Sequence, residues 1–294
     1  MIKIVEIPNE YMNKGLISNY PPHQKTTNIE SKFFDYVTKN NSIETKLNYI
    51  PIQWTNYLVQ NNKDGKDKLQ KLVDKKINNT DDFYFTVVQY DGGPLVDIND
   101  CIVFSCGGMF NTNLNENTSF LPIPLLSDPH KYVLKRKKKH LASFIGRNTH
   151  ELRTDMVHKL SNKKDFYIEN SDNMTISKKD EKRFKKIMSE SFFSLCPRGY
   201  GPASYRFYES FNLGSIPIYI SDIFHLPFKE IVDYDKLCIL INPDEIDTIP
   251  DRIDEILGTK KYEEMIEYAD YCSKEYFTYD FTIEYIIKFI SNIR

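Results

Sequence analysis

Short apolar runs of strand length alternate with helix-length amphipathic segments along most of this chain, and the alternation occurs twice. IKIVEI (residues 2–7), LNYIPI (47–52), FYFTVV (83–88) and CIVFS (101–105) have the composition of buried strands. Between them, GKDKLQKLVDKKIN (65–78) places Leu69, Leu72, Val73 and Ile77 at helical spacing, which predicts an amphipathic crossover helix. The second half repeats the theme with LASFIG (141–146), FYI (166–168), SFFSLC (191–196), IPIYI (216–220) and LCILI (237–241). Helices are predicted to begin near Thr149, Lys178 and Pro202. Strands joined through helices run parallel in one sheet, so the pattern predicts two doubly wound α/β units. The expected division is 1–138 and 139–294, with KYVLKRKKKH (131–140) as the joining segment.

Composition narrows the function classes. The 294 residues are 40% hydrophobic and 27% charged, which describes a soluble globular chain with enough material for two cores. Lys plus Arg (39) nearly balances Asp plus Glu (41), so no global field recruits nucleic acid or a membrane surface. Apolar runs fall well short of the ~18 residues of a spanning helix. The start, MIKIVEIPNEY, carries charge within its short apolar run and does not read as a secretory signal. Cys101, Cys106, Cys196, Cys238 and Cys272 are scattered and odd in number, a poor disulfide framework, so a reducing, cytoplasmic setting is expected. The basic run within 131–140 reads either as a solvated linker or as an anion-attracting patch.

The densest chemistry lies in SLCPRGYGPASYRFYESFNLGSIPIYISD (194–222). It reads strand, glycine turn, helix, glycine, strand. Gly199 and Gly201 suit a tight turn, Pro202 the first helical turn, and Gly214 the helix end. A helix N-terminus aimed at the carboxyl edge of a parallel sheet is a ready anion site. Ser204 adds a hydroxyl there, and Arg206 a cation able to bind bidentately. Glu209, three residues on, either forms a surface pair with Arg206 or accepts hydrogen bonds from a ribose.

This stretch resembles the signature of exostosin-type glycosyltransferases, F-x-L-x-P-x-G, S-x-R-x-x-E, G-x-I-P-V, S-D and L-P-F. Phe193, Leu195, Pro197, Gly199, Ser204, Arg206, Glu209, Gly214, Ile216, Pro217, Ser221, Asp222, Leu226, Pro227 and Phe228 carry it. Looser likeness extends to IKIVEIPNEYMNKGLI, to DDFYFTVVQYDGG, to LASFIGRNTHELRTDMV and to YDKLCILINPDEIDTIPDRIDEIL. The resemblance implies a GT-B fold, two Rossmann-like parallel-sheet domains facing across a cleft. It implies an inverting glycosyltransferase that moves a sugar from a UDP-sugar to a hydroxyl of an oligosaccharide, glycoprotein or glycolipid acceptor. The donor would sit mainly on the C-terminal domain; arginines and a helix N-terminus can neutralise the departing diphosphate, so no metal or other cofactor is expected.

Carried over residue by residue, Arg206 and Ser204 would contact the diphosphate and Glu209 the ribose, with Gly199, Tyr200 and Gly201 in the adjoining turn. Gly146, Arg147 and Arg153 would lie on the facing turn near the phosphates, although Arg153 also reads as a solvated helix residue. Asp222 and His225 would line the donor-sugar pocket, or His225 would be structural. Asp91 matches the aspartate of the family's HDWG segment, which reads Tyr90, Asp91, Gly92, Gly93 here. It is the candidate general base, with a turn-capping role as the alternative and Asp97, Asp100 and His23 as further candidates. The D-x-D formed by Asp233 and Asp235 reads as a turn rather than a metal site. Many family members carry an N-terminal membrane helix. No apolar run long enough for such a helix stands in this sequence, so it is expected to be a stand-alone version acting in the cytoplasm (a host's, if viral) or peripherally at a membrane. The alternative function is a nucleotide-sugar-binding module without catalysis; a nucleic-acid protein built on the basic run is the weaker rival.

Overall fold

Each strand pairing in the computed structural model is parallel, so each connection is a crossover. Those from Val88 to Cys101 and from Ser105 to Ser119 hold no helix among the described residues, unlike the predicted alternation. The structure describes residues 2–15, 24–40, 42–108, 117–130, 136–170 and 177–293. His23 and residues 131–135 of the basic segment lie outside them. The described chain divides into two units. Gln24–Leu126, with the described residues before it and the chain from Thr278 on, forms the first; Ser127–Phe277 forms the second.

In the first unit the elements are β1 (Lys3–Ile4), α1 (Ile29–Lys39), β2 (Asn48–Tyr49), α2 (Trp54–Val73), β3 (Tyr84–Val88), β4 (Cys101–Ser105) and β5 (Ser119–Pro122). The sheet order is β1-β2-β3-β4-β5, and β3 pairs β4 from Tyr84↔Cys101 to Val88↔Ser105. β3 is buried throughout, as its uninterrupted apolar run predicts. The predicted crossover helix buries Leu69, Leu72 and Val73, with Ile77 in the π-type turn that follows. It begins eleven residues earlier than its clearest periodicity, at Trp54, because Trp54, Tyr57 and Leu58 add an apolar face nearer the strand. β5 and α1 carry no strong signal of their own; α1 starts where the Asn28 side chain accepts from Ser31 N at 3.1 Å.

The second unit contains β6 (His140–Gly146), α3 (Glu151–Leu160), β7 (Phe166–Asn170), α4 (Lys178–Ser189), β8 (Ser191–Pro197), α5 (Tyr205–Asn212) and β9 (Ile216–Ile220). It continues with α6 (Tyr234–Leu237), β10 (Ile239–Ile241), α7 (Ile249–Asp254) and α8 (Lys260–Glu275). Its sheet order is β10-β9-β8-β6-β7. The chain therefore goes outward from β6 to β7 and then crosses back to β8, reversing its direction of winding between β6 and β8. That reversal leaves a crevice at the carboxyl ends of β6 and β8, the place where open parallel sheets bind ligands.

Two features differ from the expected division at residue 138. The final helix, α9 (Tyr279–Ser291), belongs to the first unit rather than the second. It is held there by Phe289 edge-on to Phe104 at 5.7 Å, by Thr45 Oγ1 donating to Ile290 O, and by Tyr279 Oη donating to Leu126 O. The described part of the basic run belongs to the second unit and is bound to it. Lys138 Nζ donates to Ser191 O at 2.7 Å and to Gly214 O, while Lys139 and Arg136 pair with Glu190 at 3.0 and 3.7 Å. Those charges clamp the start of β8. Among the described residues no helix is long and apolar enough to cross a membrane.

One buried carboxylate organises the first unit. Glu30 is wholly buried and accepts from Thr55 N (3.1 Å), Thr55 Oγ1 (2.7 Å) and Gln89 N (2.7 Å), tying α1 to the start of α2 and the end of β3. Burial pushes its pKa up from 4.5 to about 7, against the downward pull of these hydrogen bonds. The folded carboxyl thus holds its proton more tightly than the unfolded one. The stability it contributes is complete below pH 4.5 and is lost as pH rises through about 7. Denaturant unfolding of wild type and Glu30→Gln across that range should show the wild type losing stability relative to the variant as pH rises. A pH-independent difference would contradict the assignment.

Candidate functional site

Arginines converge at the winding reversal of the second sheet. Arg153, from the first turn of α3, donates through Nε to Arg198 O (2.7 Å), through Nη1 to Arg147 O (3.0 Å) and through Nη2 to Pro197 O (3.2 Å). It thereby joins the loop after β6 to the loop after β8. The glycine at 199 makes room for it, since a Cβ there would lie 3.2 Å from Arg153 Nη2. Arg198 is buried and donates to Asp222 Oδ1, after β9, and to Tyr200 O at 3.3 Å. Burial raises the Asp222 pKa, but the Arg198 hydrogen bond and charge outweigh that and hold it below the usual carboxylate range.

Arg206 packs against two rings. Its guanidinium carbon is 4.5 Å from the Phe144 centroid and 5.6 Å from that of Phe184. Nη2 donates to Ile145 O, and the buried Nε has no hydrogen-bond partner. Phe144 and Ile145 belong to β6, so this side chain reaches from α5 back across the reversal. Gly146 is required by the same contact: a Cβ would meet Phe144 Cζ at 2.8 Å and Arg206 Nη2 at 3.0 Å. Glu209 follows on α5 and meets His130 Nε2 at 3.2 Å, both side chains being buried. The surface-pair reading of Glu209 thus gives way to a buried one. Cys196 sits among Arg206, Glu209 and Arg153, and burial above all pushes its thiol up to about 12.

The α5 N-terminus starts later than predicted. Pro202 precedes it, Ser204 is the N-cap, and the Ser204 hydroxyl makes no capping hydrogen bond. The helix ends as expected, with Gly214 just past it at φ +68°. Tyr200 presents the most exposed large side chain here, with two thirds of its surface in solvent. Arg147 and Gly201 occupy the two loops. His225 is buried, and its backbone N–H donates to Tyr219 Oη at 3.1 Å. His150 caps α3 by accepting from Leu152 N through Nδ1. Burial first, then the Arg198 charge, lowers its pKa. Nothing in the sequence pattern singled out His150, His130 or the Arg198–Asp222 pair; each depends on a contact between distant segments.

In the first unit Asp91 lies just beyond β3, at the sheet's carboxyl edge, where a Cβ on Gly107 would come within 2.5 Å of its Cα. Glu30 binds Gln89 N at the same edge. Two of the further base candidates lie elsewhere, which corrects their expected place. Asp100 precedes β4 and its carbonyl accepts from Tyr84 N; Asp97 is held by Gln70 and Asn78 behind α2. Both therefore belong to the amino edge, a strand length of roughly 17 Å from Asp91. All five cysteines are buried, and burial raises their thiols, the opposite of what a nucleophile needs. Among the described residues no three of His, Cys, Asp and Glu converge as a metal site, and Asp233 is paired with Lys236 at 3.0 Å.

The winding reversal of this parallel α/β unit thus gathers arginines, a helix N-terminus and a buried carboxylate, groups of the kind that meet anionic ligands in such folds. The chain belongs to the Exostosin GT47 domain family, whose model matches residues 77–257. It is similar to the Exostosin-1 homolog of Caenorhabditis elegans, at 27% identity over 163 residues, 44% of this chain and 42% of that protein. It is similar also to the probable glucuronosyltransferase Os03g0107900 of rice, Oryza sativa subsp. japonica, at 27% identity over 109 residues. That match takes in 37% of this chain and 24% of the rice protein, so the matched chain spans less than half the length of either relative. Among solved structures, that of TarM aligns over 74% of this chain and 51% of its own, with 12% identity and a TM-score of 0.44.

The Arg153 geometry yields a stability test. Removing its guanidinium takes a donor from three carbonyls; Arg147 O keeps Thr149 N, but Arg198 O and Pro197 O lose this bond, at about 1–3 kcal/mol for each buried group left unsatisfied. Arg153→Leu should therefore lower the unfolding free energy by at least ~2 kcal/mol in denaturant titration. A loss within about 0.5 kcal/mol, the ordinary range for a surface substitution, would return Arg153 to the solvated helix face.

Proposed function

We propose that this chain is an inverting glycosyltransferase that uses a UDP-sugar donor and a glycan hydroxyl as acceptor. The observation that carries the reading is Arg206. It is a buried cation with an unpartnered Nε, packed against Phe144 and Phe184 beside an α5 N-terminus whose Ser204 hydroxyl makes no capping hydrogen bond. Arg206, Ser204 and the turn Gly199–Gly201 take the diphosphate, and Glu209 takes the ribose. Tyr200 offers an exposed ring for stacking on the base, while Asp222 and His225 line the sugar pocket. Arg153 acts by holding the two loops, and Arg147 adds positive charge on one of them.

In this reading the acceptor oxygen forms a bond to the anomeric carbon as the bond from that carbon to the phosphate oxygen breaks. UDP leaves with the bonding electron pair, and Asp91 takes the acceptor proton. The arginines and the helix terminus stabilise the charge that develops on the diphosphate, which is electrostatic work needing no metal or other cofactor. The acceptor is an oligosaccharide, glycoprotein or glycolipid, and the setting is cytoplasmic or peripheral to a membrane. Relatives named as probable glucuronosyltransferases make UDP-glucuronate the first donor to try.

Two measurements test this. With EDTA present, UDP should raise the melting temperature of the wild type. Arg206→Ala and Glu209→Ala should each weaken UDP binding by roughly tenfold to a hundredfold, the loss of one charge-assisted contact. Unchanged affinity in both variants would sink the site. Separately, Asp91→Asn should keep UDP-sugar affinity and lose transfer by ~10²-fold or more. Near-normal turnover would make Asp91 a turn residue and move the base elsewhere.

A further inference from the structure

Glu209 can hold a ribose only if its carboxylate is fixed in direction, and a glutamate on a helix has three rotatable bonds with which to turn away. The restraint is visible on the far side of the unit in sequence. His130, 79 residues upstream, puts Nε2 3.2 Å from Glu209 Oε1. Both side chains are buried, at 2% and 9% exposure, so solvent does not compete strongly for the contact. His130 is itself braced, its ring 5.9 Å from the ring of Phe184. Phe184 is the same ring that flanks Arg206. One aromatic side chain on α4 thus backs both the cation and the partner of the carboxylate.

We propose that His130 is a positioning residue for ribose recognition: it donates from Nε2 to one Glu209 oxygen and leaves the carboxylate oriented to accept from the ribose hydroxyls. It does not touch the ligand. This inference rests on the nucleotide-binding reading of Glu209 and adds the residue that makes Glu209 selective. A carboxylate held by a buried donor discriminates sharply, because a ligand lacking a hydroxyl leaves a buried acceptor unsatisfied. A carboxylate without that donor rotates, and the discrimination fades.

The test compares binding of UDP and 2′-deoxy-UDP by calorimetry. Wild type should prefer UDP by about tenfold or more, the worth of one charge-assisted hydrogen bond. His130→Phe keeps a ring against Phe184 but removes the donor, and should bring that preference to within about threefold. His130→Gln, which can still donate, should restore most of it. Should either variant fail to fold, the wild type supplies the answer by imidazole NMR. Saturating UDP should shift the His130 ring signals more than saturating 2′-deoxy-UDP does. Equal shifts, or a full UDP preference in folded His130→Phe, would overturn the proposal while leaving the ribose reading standing. A wild type that binds both nucleotides equally would overturn the ribose reading and this inference with it.

Discussion

Burying guanidinium groups at a sheet edge is the constraint from which the second unit follows. A cation taken out of water loses several kcal/mol of solvation unless dipoles or ring faces replace the water. Arg153 finds three backbone carbonyls, Arg198 finds Asp222 and Tyr200 O, and Arg206 finds Ile145 O with Phe144 and Phe184. Carbonyls point outward at the carboxyl ends of parallel strands, and a gap to receive side chains opens where the winding reverses. The strand order β10-β9-β8-β6-β7 supplies both. Glycine at 146 and at 199 suits this crowding, because a Cβ would lie 3.0 Å from Arg206 Nη2 at the one and 3.2 Å from Arg153 Nη2 at the other.

The two units handle charge differently. In the first, β1 to β5 lie in chain order without a reversal among the described strands, and the buried charge is a carboxylate. Glu30 is met by donors from the start of α2 and the end of β3, so it pins the backbone of Gln89 two residues before Asp91. Anything Asp91 does depends on that anchored segment and on the absence of a side chain at Gly107. The second unit buries three arginines at its sheet edge beside Glu209; the first encloses an acid.

Much of this was legible in the sequence, for reasons that can be named. Strands such as Ile216–Ile220 and Cys101–Ser105 are uninterrupted apolar runs, so their limits coincide with the predicted ones. The motif around Arg206 and Glu209 is local, within one strand–turn–helix unit, and its spacing survives folding unchanged. Other features are not local. The partnership of His130 with Glu209 spans 79 residues, and that of Arg198 with Asp222 spans 24. The return of α9 to the first unit depends on Phe289 meeting Phe104, which no periodicity encodes. Asp97 and Asp100 stood behind Asp91 as further base candidates in the chain, yet about a strand length separates them from it, since the two ends of a strand lie at opposite sheet edges.

Under the proposed function the donor diphosphate binds at the second unit's winding reversal, and at the α5 N-terminus in particular. Hydrogen exchange of the backbone amides with and without UDP tests it most directly. The claim predicts slowed exchange in the turn from Gly199 to Ser204 and the first turn of α5, with the first unit's sheet edge around Asp91 unchanged by UDP alone. Protection confined to the first unit, or protection that leaves the 199–206 amides unaltered at saturating UDP, would contradict it.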